Sequence, residues 1–414
     1  MSLSYPVGYH PCAEGQDPGP CWIQPYCDGE QCEPISEYSD GKTGLCPVVL
    51  GDILEGINLQ DGTECSFHVI GKLGHGSYST VWLVRNRNTQ QHLALKILRA
   101  EHSTRDNMEL KILQDTGRLK SAFFYTHTPT NRQHLCLVTK AVGCALKDRS
   151  WAKPDGGELG IPWDVLSAAM LTEMLLLKVF EIHEAGIYHG DLSPSNVALG
   201  VAEDAFTPKS LKWTFSEDLR AEVHLGFVPL TEPQPPVPPF LPAYIAYHVY
   251  PLASDGLDLT KIDIIDFGQG GYESKNTKLR GTWGYKPPEY KNSGALGSIQ
   301  SDLWSLGCLA YYALTDTHLF GPREEFEKVY TAASDQEQLS YIDGLLKADR
   351  VFQQHVEYRD ITARLLHSLL RVDPAERSAT KAKKWLDKMV EYANQHMEGD
   401  SDKGGNIEED KSKN

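Results

Sequence analysis

The stretch IYHGDLSPSNVAL, residues 187–199, decides how this chain is interpreted, because three of its polar residues are spaced for chemistry. His189 and Asp191 are separated by one residue, and Asn196 follows five residues after the aspartate. At this spacing the carboxylate of Asp191 is placed to accept a hydroxyl proton, and the amide of Asn196 can hold a metal ion. The stretch therefore predicts a site with a base and a metal ligand.

A second carboxylate follows in IDIIDFGQG, residues 262–270, where an apolar run ends at Asp266. A carboxylate at the end of a strand can bridge Mg²⁺ to phosphate groups. Two magnesium ligands, Asn196 and Asp266, following a base in this order are much more specific than either motif alone. The pair predicts a site for a metal-bound nucleotide.

Upstream, GHGSYSTV at residues 74–81 lies between two predicted strands. The missing side chains of Gly74 and Gly76 let backbone N–H groups approach phosphates closely, while Ser79 occupies the position of a third glycine. A plain hairpin with glycine in its turn explains this stretch equally well when it is taken alone. It supports a phosphate site only in combination with the other motifs.

Lys96 ends the stretch LALK, in which apolar neighbours alternate and Ala94 shares its face. A buried ammonium group needs an anion, and Glu109 on the next predicted helix can supply one while nucleotide phosphates supply others. A lysine on a strand edge is the alternative. The sequence predicts an ion pair between Lys96 and Glu109.

The segment LRGTWGYKPPEY, residues 279–290, extends the series. Asp302 and Arg377 follow it at a distance, and Glu289 with Arg377 is predicted to form a buried ion pair, which is costly to leave half-made. Each motif alone has an ordinary structural explanation. The ordered series, from the glycine loop to Arg377, does not.

Two kinds of periodicity divide the chain. Short alternating stretches separated by turn residues at 67–98 predict antiparallel strands, and residues 107–114 a short helix. Residues 165–186 are apolar nearly all round and predict a buried helix that Gly186 terminates. A second such helix is predicted over 301–314, with Ser301 as its N-cap.

Three further segments lack this order. Residues 1–46 are rich in Gly, Pro, Cys and Asp and predict an irregular arm, and residues 393–414 have so few apolar residues that we expect a disordered tail. An insertion at about 200–258 contains LTEPQPPVPPFLP, whose prolines favour an extended conformation. The insertion is predicted as a surface linker or a docking segment.

The composition of the chain limits the classes of partner that it is expected to bind. The net charge of −16 argues against a broad nucleic-acid interface, which needs clustered Lys and Arg, and suits basic partners instead. No run of eighteen apolar residues suggests a membrane span, and the first residues do not resemble a signal peptide. We expect a soluble monomer in the cytoplasm, with the nucleus as a second compartment.

Nine cysteines are present, and five come early without any C-x-x-C pair. Their irregular spacing favours free thiols in a loose leader over a zinc site. The five are Cys12, Cys21, Cys27, Cys32 and Cys46.

With these motifs in order, residues 47 to about 392 resemble a eukaryotic protein kinase domain, and within that superfamily the SR-protein kinase family and its fungal relatives. The insertion before Asp-Phe-Gly also resembles a feature of that family. The other resembling stretches are PVVLGDIL at 47–54, GKLGHGSYSTVWL at 71–83, THLF at 317–320 and DQEQLSYIDGLL at 335–346.

This resemblance implies an α+β, bilobal protein-kinase-like fold. Its N-lobe, about 47–142, would be small and built of antiparallel strands, and its C-lobe, about 143–392, larger and mainly helical. It also implies ATP and Mg²⁺ as cofactors and serine or threonine hydroxyls of proteins as acceptors. Arg/Ser-rich proteins are the substrates that the subfamily suggests.

The resemblance also implies roles for individual residues. Lys96 and Glu109 would hold phosphates, Asp191 would be the catalytic base, and Asn196 with Asp266 would bind Mg²⁺. Thr282 would seat the acceptor hydroxyl, and His189, Glu289, Asp302 and Arg377 would support the site. The nucleotide would lie against Leu73, Gly74, Gly76, Ser79, Val81, Ala94, the gatekeeper Thr139, and the hinge from Lys140 to Val142.

The catalytic loop departs from the family pattern at two positions. Gly190 replaces an arginine that grips a phosphorylated activation loop, which predicts an enzyme that does not wait for that phosphorylation, although Ser274 and Thr277 remain available as sites. Ser193 replaces a lysine that donates to the transferring phosphoryl group. Such a charge-assisted bond is worth roughly 1.5–3 kcal/mol, so we expect an attenuated enzyme.

Two other functions fit part of the sequence. A pseudokinase or scaffold would bind partners through the acidic surface and the Pro-rich insertion, but it predicts a missing essential residue, and none is missing. A small-molecule kinase would share HGDLSPSN, residues 189–196, but such families lack the Pro-Pro-Glu segment and its arginine partner.

Overall fold

The computed structural model describes residues 45–147, 165–201, 257–275, 277–320 and 324–401. The described residues form two compact units. One comprises residues 45–110 and 117–141, and the other comprises residues 111–116 with the described parts of 142–401. No helix among the described residues is long and apolar enough to cross a membrane.

The first unit is built on a six-stranded antiparallel sheet with the strand order β1-β2-β3-β4-β6-β5. Helix α1, Met108–Asp115, lies in sequence between the fourth and fifth strands. The predicted small antiparallel lobe is confirmed. The strands are β1 Ile53–Ile57, β2 Glu64–His75, β3 Ser79–Asn86, β4 His92–Leu98, β5 Leu119–His127 and β6 Arg132–Lys140.

The pairing register gives this sheet two chemically different faces. Side chains directly opposite each other on paired strands share a face. Trp82 lies opposite Leu95, which in turn lies opposite Val138, and all three are buried in one apolar cluster. Cys46 is buried in the same cluster, so the thiol assigned to the irregular arm belongs to the core of this unit. The other four early cysteines lie outside the described residues.

The second unit is mainly helical, as predicted. Helix α2 is apolar on most faces and ends just before Gly186, whose φ of +71° is the left-handed conformation that glycine adopts easily. The described helices are α2 Val165–Glu184, α3 Ile299–Thr315, α4 Glu324–Ala332, α5 Asp335–Leu346, α6 Arg350–Gln354, α7 Val356–Leu369 and α8 Ala379–Ser401.

Helix α3 begins at Ile299, two residues earlier than predicted, and its N-cap lies three residues earlier. Ser298 is its N-cap, and its hydroxyl accepts the backbone N–H of Ser301, whose own hydroxyl bonds back to the N–H of Ser298. Ser301 therefore belongs to a capping box and is not the cap itself. The prediction chose the wrong serine, because Ser298 and Ser301 are both residues that favour an N-cap.

Two short antiparallel pairs complete the second unit. Strands β7, Ile187–Tyr188, and β10, Gly271–Tyr272, pair with each other, as do β8, Val197–Val201, and β9, Leu257–Ile264. Most of the predicted Pro-rich insertion lies outside the described residues. Its two ends meet, because Gly200 in β8 pairs with Asp258 in β9.

The last helix crosses the domain boundary predicted at residue 392. Helix α8 continues without interruption to Ser401, so the first residues assigned to a disordered tail are helical. Tyr392 and Ala393 are buried, which gives this part of the helix a packed face. Residues 402–414 lie outside the described residues.

Candidate active site

In the first unit, Lys96 and Glu109 form the predicted ion pair. The Lys96 ammonium donates to both carboxylate oxygens of Glu109, at 2.7 and 2.8 Å. The side chains are 14% and 5% exposed, and Glu109 lies in the first turn of α1, where a negative charge is favoured. Glu109 therefore holds the Lys96 ammonium at the surface of the strand, where its positive charge can attract a phosphate.

The register places the predicted nucleotide-binding residues of this unit on one face of the sheet. Lys96 lies opposite Val81, Val81 lies opposite Gly74, and Ala94 lies opposite Thr139. Positions 94 and 96 alternate with the buried Leu95, so these side chains share the face away from the core. One sheet face thus carries Lys96 and the four residues around it.

The glycine loop joins β2 to β3 by a tight turn. The N–H of Gly76 donates to the carbonyl of Ser79 at 2.9 Å. A Cβ atom added to Gly74 or Gly76 would meet nothing within 4 Å, so both positions border open space. Leu73 is half-buried beside them. A loop of this kind leaves its backbone N–H groups accessible to a phosphate.

The predicted hinge follows the last strand of the sheet. Lys140 is the final residue of β6, and Val142 comes two residues later. Just beyond, Gly143 donates its N–H to the carbonyl of Leu199, and the N–H of Leu199 donates to Cys144. The adenine-binding role of Thr139, Lys140 and Val142 stays a prediction.

Replacing Lys96 with Met tests the phosphate role. Glu109 loses its partner while 95% buried, so we expect binding of a fluorescent ATP analogue to weaken at least tenfold and phosphoryl transfer to fall further. Lys72→Met, on the same sheet, is the matched control, because Lys72 lies over the ring of Trp82 at 5.2 Å. Equal losses in the two variants would contradict the assignment.

In the second unit, the carboxylate of Asp191 is held on both oxygens. The hydroxyl of Thr282 donates to Oδ1 at 2.7 Å, and the Nδ2 amide of Asn196 donates to Oδ2 at 3.1 Å and to the Asp191 carbonyl at 2.8 Å. Each carboxylate oxygen has a second lone pair, which an acceptor hydroxyl can use. The predicted base is therefore oriented and still able to take a proton.

Burial is the main reason that the pKa of Asp191 is raised. The nearby Asp266 carboxylate raises it further, while the hydrogen bond from Thr282 and the proximity of His189 lower it. A base with a raised pKa takes a proton more readily once a hydroxyl is presented to it. The environment of Asp191 suits general base chemistry.

The backbone of the catalytic loop is held by Asp302. Its carboxylate accepts the N–H of His189 at 2.5 Å and of Gly190 at 2.9 Å, and His183 bonds it at 3.1 Å. His189 in turn bonds the Ile265 carbonyl at 2.9 Å through Nε2. Asp302 thus fixes the backbone of the loop that carries Asp191. His183 also contributes through its bond to Asp302, and it was not predicted because it lies within an apolar helix.

Asp266 and Asn196 are the candidate metal ligands. Asp266 is exposed at the end of β9 with a φ of +64°, and it is close enough to raise the pKa of Asp191. The amide nitrogen of Asn196 is committed to Asp191, which leaves its oxygen for a cation. The described residues hold no cluster of three metal-ligating side chains, but Mg²⁺ bound with phosphates needs only one or two. The donor set fits Mg²⁺.

Ser193 is the position where the sequence lacks a lysine. The residue is 1% exposed, and its hydroxyl has no hydrogen-bond partner among the described residues. Its carbonyl accepts the N–H of Asn196 at 2.9 Å and so shapes the loop. The rate loss expected from this substitution stays a prediction.

The pair of Glu289 and Arg377 forms as predicted. Two parallel hydrogen bonds of 2.6 and 2.7 Å join the guanidinium and the carboxylate, and the arginine side chain is fully buried. Arg377 also donates to the carbonyls of Gln300 and Arg371, both at 2.8 Å, and lies 5.3 Å from the ring of Trp304. One side chain thereby joins the segment before α3, the first turn of α3 and the chain just after α7.

Comparison with known sequences covers most of the chain. The family described as Protein kinase domain matches residues 67–214 and 255–388, which together make up more than half of the chain. The unmatched residues between these two segments lie within the stretch predicted as an insertion.

Curated relatives carry kinase names. The chain is 24% identical to Serine/threonine-protein kinase AFC3 of Arabidopsis thaliana, covering 82% of this chain and 86% of the relative. It is also 24% identical to Serine/threonine-protein kinase SRPK of Physarum polycephalum, covering 70% and 68%. Identity is 25% to Dual specificity protein kinase lkh1 of Schizosaccharomyces pombe, covering 63% of this chain but 33% of that relative. These names agree with the resemblance to SR-protein kinases.

Proposed function

Because the chain belongs to the protein kinase domain family, we propose that it transfers the γ-phosphoryl group of Mg-ATP to serine or threonine hydroxyls of proteins. The observation that carries the proposal is the carboxylate of Asp191, which Thr282 orients from one side and Asn196 from the other. Neither bond occupies all the lone pairs of the carboxylate. The acceptor hydroxyl would donate its proton there.

Positioning and charge supply the catalysis in this mechanism. Holding the acceptor in line with the phosphoryl group makes the reaction effectively unimolecular. Thr282 keeps the Asp191 carboxylate turned toward the acceptor, and the bonds from His189 and Gly190 to Asp302 keep the loop in place. The proton of the acceptor hydroxyl moves to Asp191 as the acceptor oxygen bonds to the γ-phosphorus, while the bond from that phosphorus to the bridging oxygen breaks and ADP leaves.

Lys96 of the first unit would neutralise the α- and β-phosphates, with Glu109 holding the ammonium in place. The Asn196 amide oxygen and the Asp266 carboxylate would hold Mg²⁺, which offsets phosphate charge when it is bound.

The acceptor class rests on two supports. Two of the compared relatives have serine/threonine-protein kinase in their names, and one of these is named SRPK. The net charge of −16 favours basic substrates. Arg/Ser-rich proteins are therefore the proposed substrates, and an assay with peptides of matched charge separates this finer proposal from general kinase activity.

The two other functions are weighed by specific residues. Arg377 is hydrogen-bonded to Glu289, and small-molecule kinases with a similar loop lack this pair. The match to the protein kinase domain family also argues against a small-molecule kinase. The scaffold function predicts a missing base, lysine or metal ligand. Lys96, Asp191, Asn196 and Asp266 are all present, so transfer remains the favoured function.

Purified protein with labelled Mg-ATP provides the decisive assay. We expect label on an Arg-Ser repeat peptide at several times the rate on an Arg-Gly-Ser peptide of equal charge, with no label on free amino alcohols. Equal labelling of the two peptides would remove the subfamily proposal and leave the kinase. ATP binding without transfer to any substrate would overturn the kinase proposal and favour the scaffold.

A further inference from the structure

Tyr188 is fully buried directly before the catalytic loop, and its hydroxyl has a specific partner. The phenol oxygen accepts the backbone N–H of Thr277 at 3.0 Å and shares a second hydrogen bond of 3.0 Å with the Thr277 hydroxyl. The Tyr188 side chain therefore holds both the backbone N–H and the side chain of Thr277. This is a far more specific contact than apolar packing requires.

The surrounding backbone is shaped for this ring. A Cβ atom at Gly271 would lie 2.4 Å from the Tyr188 hydroxyl, and one at Gly297 would lie 2.7 Å from the ring. Such contacts are too close for any residue other than glycine at either position. Two separate segments, one on each side of Thr277, thus make room for the same tyrosine.

Thr277 begins a short segment, residues 277–282, that ends on Thr282, the residue bonded to Asp191. We name it the acceptor segment. The carbonyl of Thr277 accepts the N–H of Gly297 at 2.8 Å, and the N–H of Leu279 donates to Ala295 at 2.9 Å. With Tyr188 on its N–H, both backbone groups of Thr277 are satisfied.

Position 190 has no room for a charged side chain that would hold this segment through a phosphate. Gly190 has a φ of +76°, and a Cβ atom there would lie 2.3 Å from the Gln269 carbonyl oxygen. The arginine that would grip a phosphate is excluded by the backbone itself. The contact from Tyr188 is uncharged and needs no modification.

We propose that Tyr188 is a positioning residue that holds the acceptor segment through its hydroxyl, so that Thr282 is set beside Asp191 without any phosphate. Thr277, an exposed residue whose hydroxyl is bonded to Tyr188, is then not an activating phosphorylation site, although the sequence left it available for modification. A phosphate on its Oγ1 would break the contact with Tyr188. Only the kinetic test of this inference rests on the proposed function.

Tyr188→Phe keeps the ring and removes the hydroxyl. We expect KM for the protein substrate to rise and kcat/KM to fall about tenfold, the loss typical of one hydrogen bond, while KM for ATP is unchanged. An enzyme that is merely destabilised would lose active molecules, which lowers kcat and leaves both KM values as they were. Tyr330→Phe is the matched control, because its hydroxyl is also buried and bonds the Leu370 carbonyl at 3.0 Å, away from the acceptor segment.

Thr277 provides independent variants that leave Tyr188 intact. Thr277→Ser keeps both hydrogen bonds and should match the wild type, whereas Thr277→Val should raise substrate KM by a few-fold. Thr277→Glu, which imitates a phosphate, should lower kcat/KM. An increase in activity for Thr277→Glu, or for protein phosphorylated at Thr277, would overturn the proposal.

Amide hydrogen exchange measures the contact without any reaction. The Thr277 amide should exchange about tenfold faster in Tyr188→Phe than in the wild type or in Tyr330→Phe. Unchanged exchange together with unchanged substrate KM would overturn the proposal. If the wild type transfers no phosphate, the proposed function fails, and the exchange result still decides whether Tyr188 holds the segment.

Discussion

Replacing Asp191 with Asn is expected to lower kcat about 10²- to 10⁴-fold, the contribution typical of a positioned base. The amide has nearly the same shape as the carboxylate but cannot accept the proton of an incoming hydroxyl. It can still bond Thr282 or Asn196, so the fold and the binding of nucleotide should be retained. Steady-state kinetics with a protein substrate, beside an ATP-binding titration, provides the measurement.

Asp387→Asn is the matched control for this substitution. Asp387 is an exposed aspartate on α8 that pairs with Lys383, four residues away on the same helix. Losing such a surface pair changes stability by at most about 1 kcal/mol. Equal activity of Asp191→Asn and the wild type would show that another group takes the proton, and the site would have to be reassigned.

Replacing Arg377 with Leu is expected to lower the free energy of unfolding by about 3–5 kcal/mol. The substitution leaves the Glu289 carboxylate without its partner and removes the donor from the carbonyls of Gln300 and Arg371. Urea denaturation followed by circular dichroism measures the loss. The double variant Glu289→Leu, Arg377→Leu should lose less unfolding free energy than the sum of the two single variants. Neither charge is then left buried without a partner.

Arg364→Leu is the control for the stability measurement. Arg364 bonds Asp360 at 2.8 Å one turn earlier on α7, with both side chains substantially exposed. Water solvates either charge when the other is removed, so we expect a loss below about 1 kcal/mol. A similar loss in Arg364→Leu and Arg377→Leu would mean that burial of the second pair contributes nothing.

Much of the site follows from local sequence alone. Lys96, Asp191 and Asn196 carry charges or amides that are expensive to bury without a purpose, and Asp266 adds an exposed carboxylate. The order of these four residues along the chain restricts that purpose. The pairing of Lys96 with Glu109 was predictable for the same reason, since a buried ammonium needs a carboxylate. The same reasoning predicted the pair of Glu289 and Arg377, although the two residues are 88 positions apart in the sequence.

Boundaries and supporting contacts were less predictable. The extension of α8 to Ser401 depends on packing at Tyr392 and Ala393 that a polar sequence conceals. Burial of Cys46 depends on the strands that cover it. In both cases the local composition favoured an irregular segment, and contacts with distant residues decided otherwise.

By itself, the sequence determined which groups can do the chemistry, because charge, hydrogen-bonding capacity and order along the chain belong to the residues. Only the tertiary structure decided how the Asp191 loop is held. Asp302 accepts two backbone N–H groups from it, and Tyr188 reaches Thr277 across 89 positions. A tyrosine in an apolar stretch looks like any core residue until the fold brings a backbone N–H to its hydroxyl, since hydrogen bonding depends on distance in space and not on position in the chain.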